Sequence, residues 1–325
     1  MIGRTHLPYG GEGLEMNRTK VLITGSQGLV GTSILSLKNL YPEYNFIGVN
    51  HNLFDLTKEE DVLNLFEKVE PDYVIHTAAR VGGIGRNINS PGQQFHQNIL
   101  MNTHVIHHAA IFGVKKLIAF SSVCAFPANS TKLCEDNLHE GPPYAAHGAY
   151  AHSKRMVDVQ IEAYKKEYGV NYCSVIPGNI FGEDDNFNLE DGHVVPSLIH
   201  RCFLAKKNNE PFEVWGTGKA KREFLYAKDV ARVCLDLLKL KILPQRLVVS
   251  GEREFEIKEI IQKISNIYEY DNISWLSHKP DGQLSRPSDK TIFNSIMPEF
   301  KFTDIEGALI KTINWFIEHY PNIRK

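Results

Sequence analysis

Apolar and polar positions follow two alternating periods from Lys20 onward. Short apolar runs, typical of strands, are each followed by a longer amphipathic stretch, typical of a helix. The predicted strands are "KVLITG", "YNFIGV", "DYVIHTAA", "KKLIAFSS" and "NYCSVIPG". The predicted helices between them are "SQGLVGTSILSLKNL", "TKEEDVLNLFEKV", "QNILMNTHVIHHAAIFG" and "YAHSKRMVDVQIEAYKKEYG". This order predicts an α/β fold, a Rossmann-type doubly wound parallel sheet with helices on both faces.

The regular alternation ends near Gly182. We therefore predict a dinucleotide-binding domain over residues 20–182. Residues 183–325 should form a smaller, partly interleaved α+β substrate lobe, with parts returning to the first domain. Residues 1–19 are polar and Gly-rich and are predicted to be a flexible extension. Thr57 is predicted to cap the second helix, with Glu60 completing a capping box.

Composition narrows the class of protein. The chain has 325 residues, 42% of them apolar, which is enough for a substantial core, and its formal charge of −2 provides no general attraction to nucleic acid or anionic membrane. Five widely spaced cysteines without a CxxC pair argue against a disulfide framework and a zinc site. No apolar run approaches the ~20 residues of a membrane span, and a signal-peptide core is missing. We expect a globular cytoplasmic protein with small-molecule partners and no metal.

A Gly-rich turn lies between the first strand and the first helix. Gly25, Gly28 and Gly31 form GxxGxxG, where the lack of side chains lets backbone amides and the helix N-terminus approach a pyrophosphate. The turn predicts dinucleotide binding. The second strand ends in "GVNHN", which supplies neither the carboxylate typical of NAD sites nor the basic residue typical of NADP sites. Asp55 either reaches the adenine or serves the loop.

Three polar side chains suggest carbonyl chemistry. Tyr150 and Lys154 are four residues apart in "AYAHSK" and therefore share one face of a helix. A nearby ammonium favours phenolate, so Lys154 is expected to lower the pKa of Tyr150 and make it a proton donor or acceptor near neutral pH. Ser122 follows the fourth strand in "SSVCAFP", at the edge where parallel sheets bind their ligands.

With this Ser, Tyr and Lys set the chain resembles the extended short-chain dehydrogenase/reductase superfamily. The segments "AARVGGIGRN", "SSVCAFP", "PGNIFGEDDNFN", "GHVVPSLIHR", "VWGTGKAKREFL" and "KPDG" narrow the match. They resemble, in collinear order from about Lys20 to the C-terminus, the GDP-L-fucose synthase family. That family performs 3,5-epimerisation and then C4 reduction of GDP-4-keto-6-deoxymannose.

The resemblance implies roles for five catalytic residues. Cys124 would be the base and His193 the acid of epimerisation, while Ser122 and Tyr150 hold the C4 oxygen. In reduction Tyr150 would supply a proton to the alkoxide, and Lys154 would also hold the nicotinamide ribose. Taken singly, Cys124 has a structural alternative as a buried small side chain, and His193 as a loop histidine with a backbone partner.

The resemblance also implies binding residues. The cofactor would be NADPH, with NADH left open, and the residues that it would contact are Gly25, Gly28, Leu29, Val30, Gly31, Asp55, Leu56, Ala78, Ala79, Arg80, Asn98, Tyr150, Lys154, Pro177, Asn179, Ile180 and His193. The substrate would be a GDP-linked 4-keto-6-deoxy sugar, and its contacts would be Val81, Gly83, Asn179, Val195, Arg201, Trp215, Arg222 and Arg286. The structural alternative for each arginine is a solvated surface position, and for Trp215 it is a core position.

The chain departs from the family pattern at several positions. Ser26 and Gln27 replace a basic residue in the Gly-rich turn, which leaves the choice between NADPH and NADH open. Arg80 and Arg286 replace lysines, and Val123 replaces a hydroxyl residue, so the sugar could be a hexose or a heptose.

Three other functions are alternatives to a GDP-sugar epimerase-reductase. One is a C4 reductase that follows a separate epimerase, another is a UDP-sugar 4-epimerase, and the third is a non-catalytic dinucleotide sensor, which would tend to lose the Tyr or Lys that this chain keeps. The helices "QNILMNTHVIHHAAIFG" and "YAHSKRMVDVQIEAYKKEYG" resemble those through which the family pairs, so a homodimer is expected.

Overall fold

The computed structural model describes residues 18–83, 89–279 and 285–325. The predicted N-terminal extension, except Arg18 and Thr19, lies outside this range, as do residues 84–87 of "AARVGGIGRN" and residues 280–282 of "KPDG". The strands are β1 (Thr19–Thr24), β2 (Tyr44–Val49), β3 (Tyr73–His76), β4 (Lys116–Phe120), β5 (Tyr172–Pro177), β6 (Asn179–Phe181), β7 (Phe212–Trp215), β8 (Lys221–Tyr226), β9 (Arg246–Val249), β10 (Glu254–Glu256) and β11 (Ile273–Leu276). The α-helices are α1 (Leu29–Ser36), α2 (Glu59–Val69), α3 (Pro91–Ile111), α4 (Gly148–Tyr168), α5 (Val194–Asn208), α6 (Ala227–Leu237), α7 (Ile257–Tyr268), α8 (Thr291–Ile296) and α9 (Ile305–His319).

Six strands form the main sheet in the order β2-β1-β3-β4-β5-β9. Every pairing in it is parallel. Strand order reverses between β1 and β3, and ligands of such sheets bind beyond the carboxyl ends of the strands at this reversal. The prediction of a Rossmann-type α/β fold is confirmed.

Side chains of β1 show how the sheet is covered on both faces. Val21 and Ile23 belong to one core cluster, which includes Ile34 of α1 and Val230 of α6. Leu22 points the other way and belongs to a second cluster with residues of α2, α3 and α4. Because successive strand residues face opposite sides, a run of consecutive apolar residues is what a sheet buried on both faces requires.

The C-terminal half contains a second core and also returns to the first. Strands β10, β8 and β6 form one small sheet, and β11 pairs with β7 in another. These pack with α5, α7 and α9 around buried aromatic residues such as Phe187, Phe212 and Phe316. In contrast, β9 joins the main sheet, and α6 packs on α1. The C-terminal lobe is therefore interleaved with the parallel sheet. The residues of β6, which come just before Gly182, also lie in the smaller sheet.

Two details of the helices differ from the sequence prediction or extend it. The predicted capping box at Thr57 is wrong: α2 begins at Glu59, and Lys58 is its N-cap residue without a side-chain cap. Thr57 instead donates its hydroxyl to Asp55 Oδ1 at 2.7 Å, so the local Asx turn outcompetes the cap. None of the helices in the described part of the chain combines the length and hydrophobicity that a membrane span needs.

Candidate active site

The Gly-rich turn is tightly packed between β1 and α1. Gly25 has φ +68°, and a Cβ there would lie 2.8 Å from the backbone of Ala78. A Cβ on Gly31 would overlap the Gly25 carbonyl oxygen. Gly28 precedes α1, whose N-terminus has no side-chain cap. The first amides of α1 and its positive dipole end therefore face the carboxyl edge of the sheet, an arrangement that fits a dinucleotide pyrophosphate.

The end of β2 lies beside this turn. Ser26 N–H donates to Val49 O at 3.0 Å, which joins the turn to the strand that precedes Asn50, His51 and Asn52. Asp55 accepts hydrogen bonds from the backbone and hydroxyl of Thr57, and these bonds lower the pKa of the Asp55 carboxyl. The observed contacts of Asp55 are thus those of a loop residue, and its predicted adenine contact stays a prediction.

Arg80 and Asn98 hold the segment after β3 against α3. Asn98 is fully buried, accepts from Arg80 N–H at 2.9 Å and donates to Arg80 O at 3.0 Å. The Arg80 guanidinium donates to the side-chain oxygens of Gln97 and Gln93. Asn98 therefore shapes the backbone beside the Gly-rich turn, and the direct cofactor contact predicted for both residues stays a prediction.

Ser122, Tyr150 and Lys154 come together at the carboxyl end of β4. Ser122 follows the strand, and its side chain lies close enough to the Tyr150 hydroxyl on α4 to oppose the rise of the Tyr150 pKa. Lys154 lies one turn further along α4, is 3% exposed, and donates from Nζ to Phe120 O at 2.9 Å. Ser121 Oγ donates to Lys154 O at 3.0 Å, which fixes α4 to the strand end. The sequence prediction that these three residues share one site agrees with this geometry.

The predicted lowering of the Tyr150 pKa by Lys154 is wrong in this structure. Burial and the nearby Cys124 raise the pKa of Tyr150, although the nearby Ser122 opposes them. Burial also lowers the pKa of Lys154 to about 8. Spacing on a helix placed both residues on one face, but it could not show that both are desolvated, and desolvation disfavours the charged form of each.

Cys124 lies in the 3₁₀ turn Val123–Ala125 directly after Ser122. Its backbone N–H donates to Ser122 Oγ at 3.2 Å. Burial raises the pKa of the thiol, but its interactions with His147, Ser122 and Arg286 outweigh burial, so the net shift is downward. A small inert core side chain would show the opposite shift, as Cys173 and Cys234 do. The structure therefore favours a chemical role for Cys124 over a packing role.

Two arginines from distant parts of the chain face Cys124. Arg222 lies on β8, and Arg286 lies in the segment after residue 284. Burial lowers the pKa of both, and both interact electrostatically with Cys124. Arg286 is fixed by a 2.8 Å bond from Nη2 to Pro127 O and by its backbone N–H, which donates to Glu254. Two fixed guanidinium groups here suit an anionic diphosphate.

His193 is the N-cap residue of α5, and its side chain makes no capping hydrogen bond within the described chain. The residue as a whole is exposed. Even so, desolvation of its imidazole by neighbouring atoms, together with the charge of Arg324, lowers the pKa of the ring. Gly83 N–H donates to Asp191 O at 2.8 Å, so the loop before His193 contacts the segment after β3. A Cβ on Gly83 would lie 2.9 Å from Gly192 O, which explains the glycine there.

Arg201 and Trp215 form a second cationic and aromatic patch. The Arg201 guanidinium lies 5.3 Å from the Trp215 ring centroid and donates to Leu189 O at 2.8 Å. Lys279 Nζ lies 5.5 Å from the same ring. Trp215 is 57% exposed, so the alternative that it is a core residue is wrong. A ring with cations above it can hold a base or sugar face.

The other predicted binding residues lie on the elements around this edge. Asn179 begins β6 and donates from Nδ2 to Glu223 O of β8 at 3.1 Å, a bond within the smaller sheet, two residues after the main sheet's strand β5 ends. Val195 is buried in the second core. The remaining residues lie at the start of α1 (Leu29 and Val30), before α2 (Leu56), after β3 (Ala78, Ala79 and Val81), at the end of β5 (Pro177) and in β6 (Ile180). None of the contacts that these eight residues make within the described chain tests whether they bind the cofactor or the substrate.

Sequence reasoning missed His147, Arg155 and His76. His147 contributes to the lowered pKa of the Cys124 thiol, and Arg155 donates from Nε to Ala125 O at 2.9 Å. His76 is buried between Thr24 (2.8 Å) and Asn102 (3.0 Å). Only a polar residue amid the apolar run of β3 signalled His76, and nothing in the local sequence signalled the other two. Within the described residues, no cluster of His, Cys, Asp or Glu could hold a metal ion.

Comparison with known proteins agrees with this geometry. The model of the NAD dependent epimerase/dehydratase family matches residues 21–249. The chain belongs to this family. It is 36% identical to GDP-L-fucose synthase of Dictyostelium discoideum, over 95% of this chain and 98% of the relative. The predicted resemblance to GDP-L-fucose synthases is confirmed.

Solved structures agree as well. A GDP-L-fucose synthetase from Naegleria fowleri bound to NADP has a TM-score of 0.89 and 34% identity, covering 94% of this chain and 95% of that chain. A GDP-6-OMe-4-keto-L-xylo-heptose reductase from Campylobacter jejuni has a TM-score of 0.83 and 21% identity, covering 94% and 100%. At that identity the second likeness shows the fold alone.

Proposed function

We propose that this protein uses NADPH to reduce the C4 ketone of a GDP-linked 4-keto-6-deoxy sugar, after epimerising C3 and C5 of the same sugar. The observation that carries the proposal is the meeting of Ser122, Tyr150 and Cys124 beside Arg222 and Arg286, at the carboxyl edge of the sheet. The GDP-L-fucose synthase relatives and the NADP-bound structural relative supply the substrate class and the cofactor.

Ser122, Tyr150 and Lys154 have separate roles in the reduction. Bound NADPH supplies the hydride to C4. Ser122 and Tyr150 donate hydrogen bonds to the ketone oxygen, and Tyr150 gives its proton as that oxygen becomes an alkoxide. A buried, protonated Tyr150 is the form that an acid needs, and its raised pKa keeps it protonated in the free site. Lys154, one turn further along α4, keeps its ammonium buried, with Nζ bonded to Phe120 O at the end of β4.

Epimerisation needs a base and an acid on carbons next to the ketone. Cys124 is the base, because its thiol has a lowered pKa and it lies beside Ser122 and Tyr150. The hydroxyls that hold the C4 oxygen also stabilise the enolate that forms when the C3 or C5 proton leaves. His193 is the acid: its lowered pKa makes the imidazolium a stronger acid but reduces its population at neutral pH.

Arg222 and Arg286 bind the diphosphate of the nucleotide, and the Arg201–Trp215 patch binds its base. Both patches lie on the C-terminal lobe, on β7, β8, α5 and the segment after residue 284. We therefore propose residues 183–325 as the substrate lobe and residues 20–182 as the dinucleotide-binding domain. Because all five cysteines are free, a reducing compartment, the cytoplasm, is the proposed location.

The proposal is tested with purified protein, GDP-4-keto-6-deoxymannose and NADPH. We expect loss of NADPH absorbance in proportion to product, and NMR gives the product's configuration. Tyr150→Phe should lower kcat by about 10²–10⁴-fold. Tyr168→Phe, at an exposed tyrosine of the same helix, is the matched control. Turnover without net NADPH consumption would instead support a 4-epimerase.

A reductase without epimerase activity is the second candidate, because the lowered pKa of His193 reduces the fraction of imidazolium that could act as the acid. Incubation in D₂O without NADPH separates the two. Deuterium at C3 and C5 of the recovered sugar supports epimerisation. Its absence, with C4 reduction of a pre-epimerised substrate intact, leaves the reductase alone.

We further propose that the protein forms a homodimer through α3 and α4. The two helices pack against each other, and large apolar side chains on them are exposed. These side chains are Phe95, Ile111, Met156, Val159 and Tyr168. Exposed apolar side chains on two helices that pack together are typical of an interface between subunits.

A further inference from the structure

Residues 285–290 lie between the loop that follows β4 and the smaller sheet. On the side of the loop, Arg286 Nη2 donates to Pro127 O at 2.8 Å. Leu133 N–H donates to Pro287 O at 2.9 Å, so the segment also pairs with this loop through its backbone. The segment thereby holds Arg286 against the loop that carries the reacting serine and cysteine.

On its other side the 285–290 segment meets two glutamates of the smaller sheet. Glu254 on β10 accepts hydrogen bonds from Arg286 N–H at 3.0 Å and from the Ser285 hydroxyl at 2.7 Å. Glu223 on β8 is 7% exposed and accepts from Ser288 N–H at 3.2 Å and from the Ser288 hydroxyl at 2.5 Å. Each carboxylate therefore receives one backbone and one side-chain hydrogen bond from the same short segment.

The two glutamates are direct neighbours across the sheet. Glu254 and Glu223 are paired in the antiparallel register of β10 and β8, so their side chains leave the same face. Like charges directly opposite each other destabilise a sheet. The compensating groups come from the 285–290 segment, including Lys290, whose Nζ lies 3.7 Å from Glu223 Oε1 and donates to Glu252 O at 2.6 Å. What the two carboxylates hold, and not sheet stability, explains their position.

We propose that Glu223 and Glu254 are positioning residues that hold the 285–290 segment so that Arg286 is fixed in place before a GDP sugar binds. The inference rests on the proposed function, in which Arg286 binds the diphosphate. Neither glutamate touches the substrate, and both act through Arg286. A cation that is fixed in advance avoids the entropy cost of ordering its side chain and backbone when the ligand arrives.

This role differs from a general contribution to stability. The diphosphate is not altered by the reaction, so a fixed Arg286 strengthens binding of the substrate and of the transition state alike. Loss of Glu254 should therefore raise KM for the GDP sugar about tenfold and change kcat by less than about threefold. A glutamate that only stabilised the fold would change neither value in protein that is folded at the assay temperature.

The first measurement reports on the segment without a substrate. Hydrogen–deuterium exchange of the full-length protein is followed by mass spectrometry in peptides that cover residues 285–290. Glu254→Ala should raise exchange there about tenfold, and the milder Glu223→Gln, which keeps the volume of a buried side chain, by a smaller factor. Glu252→Ala, at an exposed glutamate just before β10, is the matched control and should exchange as the parent does.

The second measurement is the affinity for GDP, by isothermal titration calorimetry with NADP present. Glu254→Ala and Arg286→Ala should each weaken GDP binding about tenfold. Removing a negative charge near an anion would by itself tighten binding, so a weakening by Glu254→Ala separates positioning from charge. Because the glutamate acts through the arginine, the double variant should bind GDP within about twofold of Arg286→Ala. Glu254→Gln, which keeps an acceptor oxygen, should recover part of the affinity, and Glu252→Ala should not weaken binding.

The outcomes separate this inference from the proposed function. If Arg286→Ala weakens GDP binding and Glu254→Ala does not, the proposed diphosphate site stands and the positioning role is overturned. Losses that multiply in the double variant would also overturn it, because the glutamate would then act independently of the arginine. If Arg286→Ala binds GDP as tightly as the parent, the proposed diphosphate site fails, and the positioning role fails with it even where the exchange measurement confirms the contacts of the segment.

Discussion

At the scale of single residues, burial decides the chemistry of Lys154. Desolvation disfavours its ammonium, and the pKa falls from 10.5 to about 8. As pH rises through 8 this buried positive charge is lost from the site, so kcat/KM for C4 reduction should fall about tenfold for each further unit. Lys154→Arg, which keeps its charge, should abolish that decline even if its rate is lower. A profile that stays level to pH 10 would contradict this assignment.

At Gly25, the close packing of the surroundings constrains the backbone. Gly25→Ala must adopt φ +68°, which costs about 1–2 kcal/mol, and its Cβ must push the Ala78 backbone away, which costs about 1–3 kcal/mol more. Gly113 has φ +67° with open space around it, so Gly113→Ala incurs only the first cost. Urea unfolding and NADPH titration should show a larger loss of stability for Gly25→Ala and weakened NADPH binding for it alone. Equal effects of the two variants would be inconsistent with the close packing of the turn.

At the scale of elements, one buried chain of hydrogen bonds connects β1, β3, α3 and α4. Thr24 Oγ1 and Asn102 Oδ1 flank the two ring nitrogens of His76, and Asn102 Nδ2 donates to Ser153 O at 3.5 Å. If Nε2 of His76 carries the proton, it donates to Asn102, and Nδ1 accepts from Thr24. The neutral ring then satisfies every polar neighbour, and it places α4, with Tyr150 and Lys154, against the Gly-rich turn.

The buried His76 predicts that the protein loses stability in acid. Burial lowers the pKa of His76 from 6.5 to about 3. Between these values the unfolded chain binds a proton that the folded protein does not, so stability falls as pH falls, by about 2 kcal/mol from pH 6.5 to pH 5. His76→Gln should reduce that loss in urea unfolding at the two pH values, whereas His152→Gln, at an exposed site, should not. An unchanged pH dependence in His76→Gln would refute the assignment.

How far the sequence predicts an element depends on the range of the interactions that define it. GxxGxxG and YxxxK are recognisable because their residues lie within one turn or one helix face. Arg222 and Arg286 were matched to substrate positions through the family resemblance, but their approach to Cys124 joins residues about 100 or more positions apart. The influence of His147 on the Cys124 pKa depends on how two turns pack beside α4, and the raised pKa of Tyr150 depends on burial. Neither leaves a periodic signal in the chain.

At the scale of the whole molecule, the interleaving of the two lobes places the candidate substrate and cofactor residues at one edge. The chain crosses from the main sheet to β6 within two residues of Pro177, and it returns through α6 and β9. Each lobe therefore completes the other's core, and Asn179 bonds to Glu223 at the crossing. Such a connection favours one cooperative unfolding transition over two separate ones.

The proposed homodimer gives the last prediction. Met156 and Val159 lie three residues apart on α4, both on its exposed side. In a two-fold interface each substitution occurs twice, so Met156→Lys with Val159→Lys would place four positive charges in an apolar contact and remove much of its buried area. Sedimentation velocity should show a dimer for the parent and a monomer for the double variant, with the fold retained by circular dichroism.

Ile310→Lys provides the control for this experiment, because Ile310 is about as exposed but lies on α9, away from the proposed interface. It should sediment as the parent does. Since the reacting side chains Ser122, Cys124, Tyr150 and Lys154 all come from one chain, the monomeric variant should keep C4 reduction to within a few-fold. A parent that sediments as a monomer at micromolar concentration would refute the dimer, and a monomeric variant without activity would show that pairing also supports α4 and its catalytic residues.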